Sequence, residues 1–162
     1  MSRLRVAVLN GPNLAHLGRR QPDIYGPGTL DDLSRQIGEA AASLGMEVSL
    51  TQVDGEGEMV SAIWRCAETA EAIVINPGGY SHTSVAVLDA LEAYPGRVVE
   101  VHISQVFRRE EERRNLLTAR AADAVIVGAG LDGYRLALEY LSRAGRASRG
   151  PASVGGSDDH HE

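Results

Sequence analysis

The chain of 162 residues contains no lysine, and all 16 of its basic residues are arginine. Catalysis through an imine requires a lysine amine, and the phosphate-binding loop of the common nucleoside triphosphatases requires its lysine, so the sequence excludes both. Arginine presents a planar fork of N–H donors that suits carboxylates. A carbonyl substrate would therefore be handled without an imine.

Cysteine is almost absent as well. Cys66 is the only cysteine, so the chain forms no internal disulfide and offers no thiolate cluster for a metal. Its place in the apolar pattern around Ile63 and Trp64 favours a core thiol over a nucleophile.

The sequence also lacks long apolar runs and blocks of basic residues. No segment approaches the roughly 20 apolar residues that span a bilayer, and the apolar run near the start is too short for a signal peptide. A net charge of -6 argues against nucleic acid or an anionic membrane as the partner. We expect a cytoplasmic protein that binds a small polar molecule, with residues 1–143 forming one catalytic domain.

Apolar runs typical of strands alternate with segments of helical periodicity, which predicts βαβ units and a parallel sheet. Five such units predict a flavodoxin-like, doubly wound three-layer sandwich with strand order 2-1-3-4-5. The Gly-, Ser-, Arg- and Asp-rich residues 144–162 predict a disordered tail, in which His160 and His161 are solvated rather than metal-bound. The predicted strands are Leu4 to Leu9, Met46 to Gln52, Ala72 to Asn76, Arg97 to Ser104 and Ala124 to Val127.

Ligands of such sheets bind beyond the carboxyl ends of the strands, where the strand order reverses. The first, third and fourth strands are neighbours in the predicted order. They deliver an unusually long loop, Leu9 to Tyr25, and two further polar clusters, Asn76 to His82 and Glu100 to Ser104. Three clusters that are far apart in sequence are thus expected to line one crevice.

The fourth predicted strand carries polar residues where a central parallel strand is normally apolar. Glu100, His102 and Ser104 alternate with apolar residues, so their side chains project to one face. A carboxylate two residues before an imidazole can orient the ring and stabilise its charged form, which suits a general acid. The alternative is a buried structural Glu–His pair.

On the long loop, Tyr25 is a candidate base if Arg19 or Arg20 stabilises its phenolate. The alternatives are a packing role for the tyrosine and solvation for the two arginines.

Two other segments have structural explanations. At least one of Ser81, Thr83 and Ser84 is expected to cap a helix. The later segment RREEERR predicts a solvated helix surface with Glu110 and Arg114 as an i,i+4 pair. One or two of its arginines could still reach the crevice.

Four sequence blocks occur in order: LNGPNL at 9–14, LGRRQPxxYG at 17–26, INPGGYSHTSVAVLDAL at 75–91 and VEVHIS at 99–104. Together they resemble the type II 3-dehydroquinate dehydratases, and the resemblance covers residues 4–142. It implies the flavodoxin-like fold, catalysis without cofactor or metal, and a dodecamer built from trimers. It also implies conversion of 3-dehydroquinate to 3-dehydroshikimate and water, in the shikimate pathway of aromatic amino acid biosynthesis.

The resemblance implies a role for each matching residue. Tyr25 would remove a C2 proton with its phenolate stabilised by Arg20, and Asn13 would hold a water that stabilises the resulting enolate. His102, paired with Glu100, would protonate the leaving C1 hydroxyl. Asn76, His82 and Arg113 would bind the hydroxyls of the substrate, and Ser104 and the Ile103 backbone would bind its carboxylate. Asp89 would reach the site of a neighbouring subunit.

Some positions depart from the family pattern, although none removes a catalytic residue. Gln21 stands where Glu is usual, Asp54 with Gly55 replaces a usual Asn-His or similar pair, and Gln105 and Phe107 replace an Asn and a His. Two other functions remain open at this point. One is a divergent paralogue acting on a related cyclic hydroxy acid, and the other is a non-enzymatic flavodoxin-like binding module.

Overall fold

A computed structural model describes residues 2–146 of the chain. Most of the predicted tail, residues 147–162, lies outside that range. The first residues of the predicted tail belong to the last helix and its end, since this helix continues to Ala144. The Arg97 guanidinium donates to the carbonyls of Ala144 and Gly145, which ties the helix end to the sheet.

Five parallel strands form one sheet in the order β2-β1-β3-β4-β5, as predicted. The apolar strand β3 lies at its centre and is buried along its whole length, because helices cover both faces. The strands are β1 Leu4–Asn10, β2 Met46–Gln52, β3 Ala72–Asn76, β4 Arg97–His102 and β5 Ala124–Val127.

Helices pack on both faces of the sheet and complete a three-layer sandwich. Successive residues of β1 point to opposite faces, so Val6 and Val8 pack in the core beneath α2 and α5, while Ala7 and Leu9 pack beneath α3 and α4. No helix among the described residues is long and apolar enough to cross a bilayer. The helices are α1 Pro22–Tyr25, α2 Leu30–Leu44, α3 Glu56–Thr69, α4 Val85–Ala93 and α5 Asp132–Ala144.

Local signals set the ends of helix α2. Thr29 and Asp32 form a capping box, in which the Thr29 hydroxyl accepts from the Asp32 N–H and the Asp32 carboxylate accepts from the Thr29 N–H. The hydrogen bond from the Thr29 backbone lowers the pKa of Asp32 below its ordinary value. Gly45 ends the helix in the left-handed conformation, at φ 66°.

Helix α4 begins at Val85, directly after the expected start near His82 to Ser84, and a 3₁₀ turn, Gly78–His82, precedes it. The Ser84 hydroxyl accepts from the Val87 N–H and caps the helix, so the capping prediction is confirmed for Ser84. Cys66 is buried on α3, and burial raises the pKa of its thiol, as expected for a core cysteine.

The prediction of a helix across RREEERR is wrong. The chain forms short 3₁₀ turns there, and Glu110 pairs with Arg109 and Arg113 rather than with Arg114. An exposed i,i+4 pair stabilises a helix by only about 0.2–0.5 kcal/mol, which is too little to fix the local backbone. The Arg109 side chain, only 10% exposed, points inward instead.

Candidate active site

A cavity of about 130 Å³ lies at the C-terminal ends of β1, β3 and β4, where the strand order reverses. The three polar clusters converge there, as the topology predicts. Of the predicted site residues, only Glu100 and Asp89 do not line the cavity. The others all line it: Asn13, Arg20, Tyr25, Asn76, His82, His102, Ile103, Ser104 and Arg113.

The loop after β1 crosses the loop after β3 at very short range. A Cβ atom on Gly11 would lie 2.5 Å from the Pro77 carbonyl oxygen, so only glycine fits. The Gly11 N–H donates to the Asn76 carbonyl at 2.8 Å. Gly78, at φ 61°, lies against Pro12 at the same crossing. The crossing therefore fixes both loops at the edge of the cavity.

Asn13 has a left-handed backbone at φ 69°, a conformation that asparagine tolerates better than most residues. Its N–H donates to Asp54 Oδ1 at 3.2 Å, and the Gln52 amide donates to the same oxygen at 3.0 Å. Asp54, one of the departures from the family pattern, thus holds the Asn13 backbone in place.

Tyr25 ends the one-turn helix α1 and contacts two arginines. Its hydroxyl accepts a hydrogen bond from Arg109 Nη1 at 2.5 Å. The guanidinium carbons of Arg20 and Arg109 lie 5.0 Å and 5.3 Å from the ring centroid. Both arginines therefore lie over the face of the ring, and Arg109 also contacts the hydroxyl. Arg19 is exposed and does not line the cavity.

His102 and Glu100 form a buried pair, with His102 Nε2 2.6 Å from Glu100 Oε1. Two hydroxyls donate to the same carboxylate: Ser81 Oγ to Oε1 at 2.7 Å and Thr118 Oγ1 to Oε2 at 2.9 Å. A buried carboxylate is stable as an anion only when such donors surround it. Glu100 is thus held behind His102, which alone of the pair lines the cavity.

The orientation of His82 follows from its partner. Nδ1 lies 2.8 Å from the Asn115 carbonyl oxygen, which can only accept, so Nδ1 carries the hydrogen. Burial lowers the pKa of His82 below its ordinary value, which favours the neutral ring at neutral pH. Nε2 then has a free lone pair and can accept a hydrogen bond.

The other predicted contact residues occupy different positions. Ile103 and Ser104 follow β4 and are buried at the cavity wall, and Arg113 pairs with Glu110 at 3.6 Å. Asp89 is exposed on α4 and does not line the cavity. Across residues 2–146, no three His, Cys, Asp or Glu side chains form a group that could hold a metal ion.

The sequence matches a known family. A sequence model described as "Dehydroquinase class II" matches residues 4–142. This chain belongs to the class II dehydroquinase family.

Relatives in this family are similar over nearly their whole length. The "3-dehydroquinate dehydratase" of Bartonella henselae is 47% identical over 136 residues, 84% of this chain and 92% of that protein. A protein of the same name from Mycobacterium tuberculosis is 46% identical over 142 residues, 88% of this chain and 97% of that protein. The crystal structure of type II dehydroquinase from Propionibacterium acnes has a TM-score of 0.82 at 41% identity, covering 88% of this chain and 99% of that one.

Three side chains of this class II dehydroquinase site have no sequence pattern that assigns them a role. Arg109 lies within the charged segment from which one or two arginines were expected to reach the crevice, but no pattern identified which ones. Thr118 contacts Glu100 from a 3₁₀ turn, Thr118–Ala121, and a single threonine carries no periodic signal. Tyr134 contacts Asn76 from helix α5, where its spacing indicates only a core residue.

Proposed function

We propose that this chain eliminates water from 3-dehydroquinate to give 3-dehydroshikimate, the reaction that the names of its relatives indicate. One observation carries the proposal. A single cavity is lined by a tyrosine whose hydroxyl is bound by an arginine and by a histidine whose ring is bound by a buried carboxylate. Such a site has a candidate base and a candidate acid, which an elimination requires.

Tyr25 is the proposed base. The guanidinium groups of Arg109 and Arg20 put positive charge at its hydroxyl and its ring, where a phenolate would be stabilised. The phenolate takes a proton from C2 of the substrate, and the electrons of that C–H bond move to the C3 carbonyl oxygen as an enolate. Asn13 is proposed to hold the water that stabilises this oxygen, and its fixed backbone supports that role.

His102 is the proposed acid. The enolate re-forms the carbonyl, a double bond forms between C1 and C2, and the C1–O bond breaks. The leaving hydroxyl takes a proton from the imidazolium and departs as water. The 2.6 Å contact to Glu100 occupies Nε2, so Nδ1 is the nitrogen left to deliver the proton.

Substrate contacts are assigned to the rest of the lining. Ser104 and the backbone at Ile103 would bind the substrate carboxylate, while Asn76, His82 and Arg113 would bind its hydroxyls. The free lone pair on His82 Nε2 supports acceptance of a hydrogen bond from one hydroxyl.

We also propose a dodecamer built from trimers, in which Asp89 reaches the site of a neighbouring subunit. The exposed position of Asp89 on α4, next to the exposed residue Val85 of the same helix, is compatible with such a contact. The cell compartment is proposed to be the cytoplasm, and the pathway the shikimate pathway.

Formation of the conjugated enone of 3-dehydroshikimate gives an absorbance change that tests the function. Tyr25→Phe is the matched control, because it removes only the hydroxyl. We expect wild-type turnover at millimolar substrate and at least a ~100-fold lower kcat in the variant, with substrate affinity nearly unchanged. Wild-type protein without activity would contradict the proposed function, whereas an active Tyr25→Phe variant would remove Tyr25 as the base.

A further inference from the structure

Two asparagines on adjacent strands are joined by a tyrosine from the far end of the chain. Asn10 and Asn76 are register partners at the ends of β1 and β3, and both are buried. Tyr134, in the first turn of α5, is buried between them. Its hydroxyl lies 2.7 Å from Asn10 Oδ1 and 3.1 Å from Asn76 Nδ2. Of the three residues, only Asn76 lines the cavity.

One backbone group fixes the direction of the hydrogen bonds that join Asn76, Tyr134 and Asn10. The Gly78 N–H can only donate, and it lies 3.1 Å from the Asn76 side chain, so it meets the oxygen Oδ1. The Asn76 nitrogen Nδ2 therefore faces Tyr134 and donates to the phenol oxygen. The single phenol hydrogen then goes to Asn10, which must present Oδ1.

Burial keeps the Tyr134 phenol protonated, as its hydrogen bond to Asn10 requires. Tyr134 is 1% exposed, and desolvation raises the pKa of its hydroxyl well above the ordinary value. The hydroxyl thus retains its hydrogen at any pH at which the protein would work. Tyr134 is a fixed donor to Asn10 and a fixed acceptor for Asn76.

We propose that Tyr134 is a positioning residue that orients the Asn76 amide and leaves one Nδ2 hydrogen for the ligand in the cavity. The substrate atom that meets Asn76 is then a hydrogen-bond acceptor, whereas the atom that meets His82 Nε2 is a donor. A hydroxyl group can serve at either position, but a group without a hydrogen-bond acceptor cannot pair with Asn76 Nδ2. This inference rests on the proposed function and specifies which substrate atoms accept and which donate hydrogen bonds at that site.

Asn10, at the other end of this series of hydrogen bonds, supports the same conclusion. Its Nδ2 is buried and has no hydrogen-bond partner among the described residues. A buried amide with one unsatisfied end is unfavourable compared with an apolar side chain of similar size. The contact that Asn10 does make is with the Tyr134 hydroxyl, so its role is to accept that hydrogen.

A double-mutant cycle with Tyr134→Phe and Asn76→Ala tests the proposal in the full-length chain. Tyr134→Phe removes one hydroxyl and should raise KM for 3-dehydroquinate about 3- to 10-fold, with kcat and its pH profile nearly unchanged. In the Asn76→Ala background the same change should have no further effect, because Tyr134 acts through Asn76. Tyr140→Phe on the same helix is the matched control and should leave KM unchanged.

Three kinetic results would overturn the inference: an unchanged KM in Tyr134→Phe, an effect that adds fully to that of Asn76→Ala, or an equal effect of Tyr140→Phe. Asn10→Leu, which removes the acceptor for the phenol hydrogen, should reproduce the rise in KM.

A crystal structure of Tyr134→Phe separates this inference from the proposed function, because it needs no activity. We expect the Asn76 amide to turn or to occupy more than one position, and an unmoved Asn76 would contradict its positioning by Tyr134. If wild-type protein fails to convert 3-dehydroquinate, the proposed function falls, and the position of Asn76 still decides the role of Tyr134.

Discussion

Arg109 donates a hydrogen bond of 2.5 Å to the Tyr25 hydroxyl, although the two residues are 84 positions apart in sequence. Tyr25 lies on the loop after β1, and Arg109 lies on the segment after β4. The contact therefore joins the two loops that border the cavity. It brings a full positive charge to the atom that would carry the negative charge of a phenolate.

Replacing Arg109 should impair proton abstraction. We expect Arg109→Met, which keeps an unbranched apolar stem and removes the guanidinium, to lower kcat about a hundredfold because the phenolate loses its nearest cation. Arg108→Met is the matched control, since Arg108 is exposed and does not line the cavity. Equal kcat values for the two variants would contradict this role of Arg109.

Removing one donor from the buried carboxylate should destabilise the fold. Thr118→Val is nearly isosteric and leaves Glu100 Oε2 without its 2.9 Å donor. We expect the free energy of unfolding in urea at neutral pH to fall by about 1–3 kcal/mol, the cost of an unsatisfied buried polar group. Thr118→Ser, which keeps a hydroxyl donor, should retain most of the wild-type free energy of unfolding. Thr69→Val, at an exposed helix end, should change the free energy of unfolding by less than about 0.5 kcal/mol.

His82 should make stability depend on pH. Burial lowers its pKa in the folded state below the unfolded value of about 6.5, so folding favours the neutral ring. Its stability contribution is intact above the unfolded pKa and is lost as pH falls from that value toward the folded one. His82→Gln should therefore lose less stability than the wild type between pH 7 and pH 5 in urea titrations. His16→Gln, at an exposed loop position, is the control. A wild-type pH slope in His82→Gln would contradict the sign of this shift.

The fold and the Glu100–His102 pair could be predicted from the sequence because both depend on periodicity. Alternating apolar runs and helical segments gave the strand order, and the two-residue spacing of a strand put both side chains on one face. The topology then brought Asn76 and Tyr25 to the same crevice, since parallel strands end at one edge.

The remaining contacts depend on loop geometry, which has no period. Arg109 is one of four arginines in a short charged segment, and only the 3₁₀ turns determine which of them points inward. Thr118 and Tyr134 contact the site from elements that come later in the sequence. Thr118 lies 18 residues after its partner Glu100, and Tyr134 lies 58 residues after its partner Asn76. Such pairs follow from the three-dimensional crossing of segments and not from any local pattern.

Proton NMR of the reaction in D₂O follows the elimination of water from 3-dehydroquinate at this site. We predict that the signal of the C2 proton removed by Tyr25 disappears, that the vinyl signal of 3-dehydroshikimate appears, and that Tyr25→Phe abolishes both changes. Exchange of the C2 proton without a vinyl signal, or no change at all with wild-type protein at millimolar substrate, would contradict this prediction.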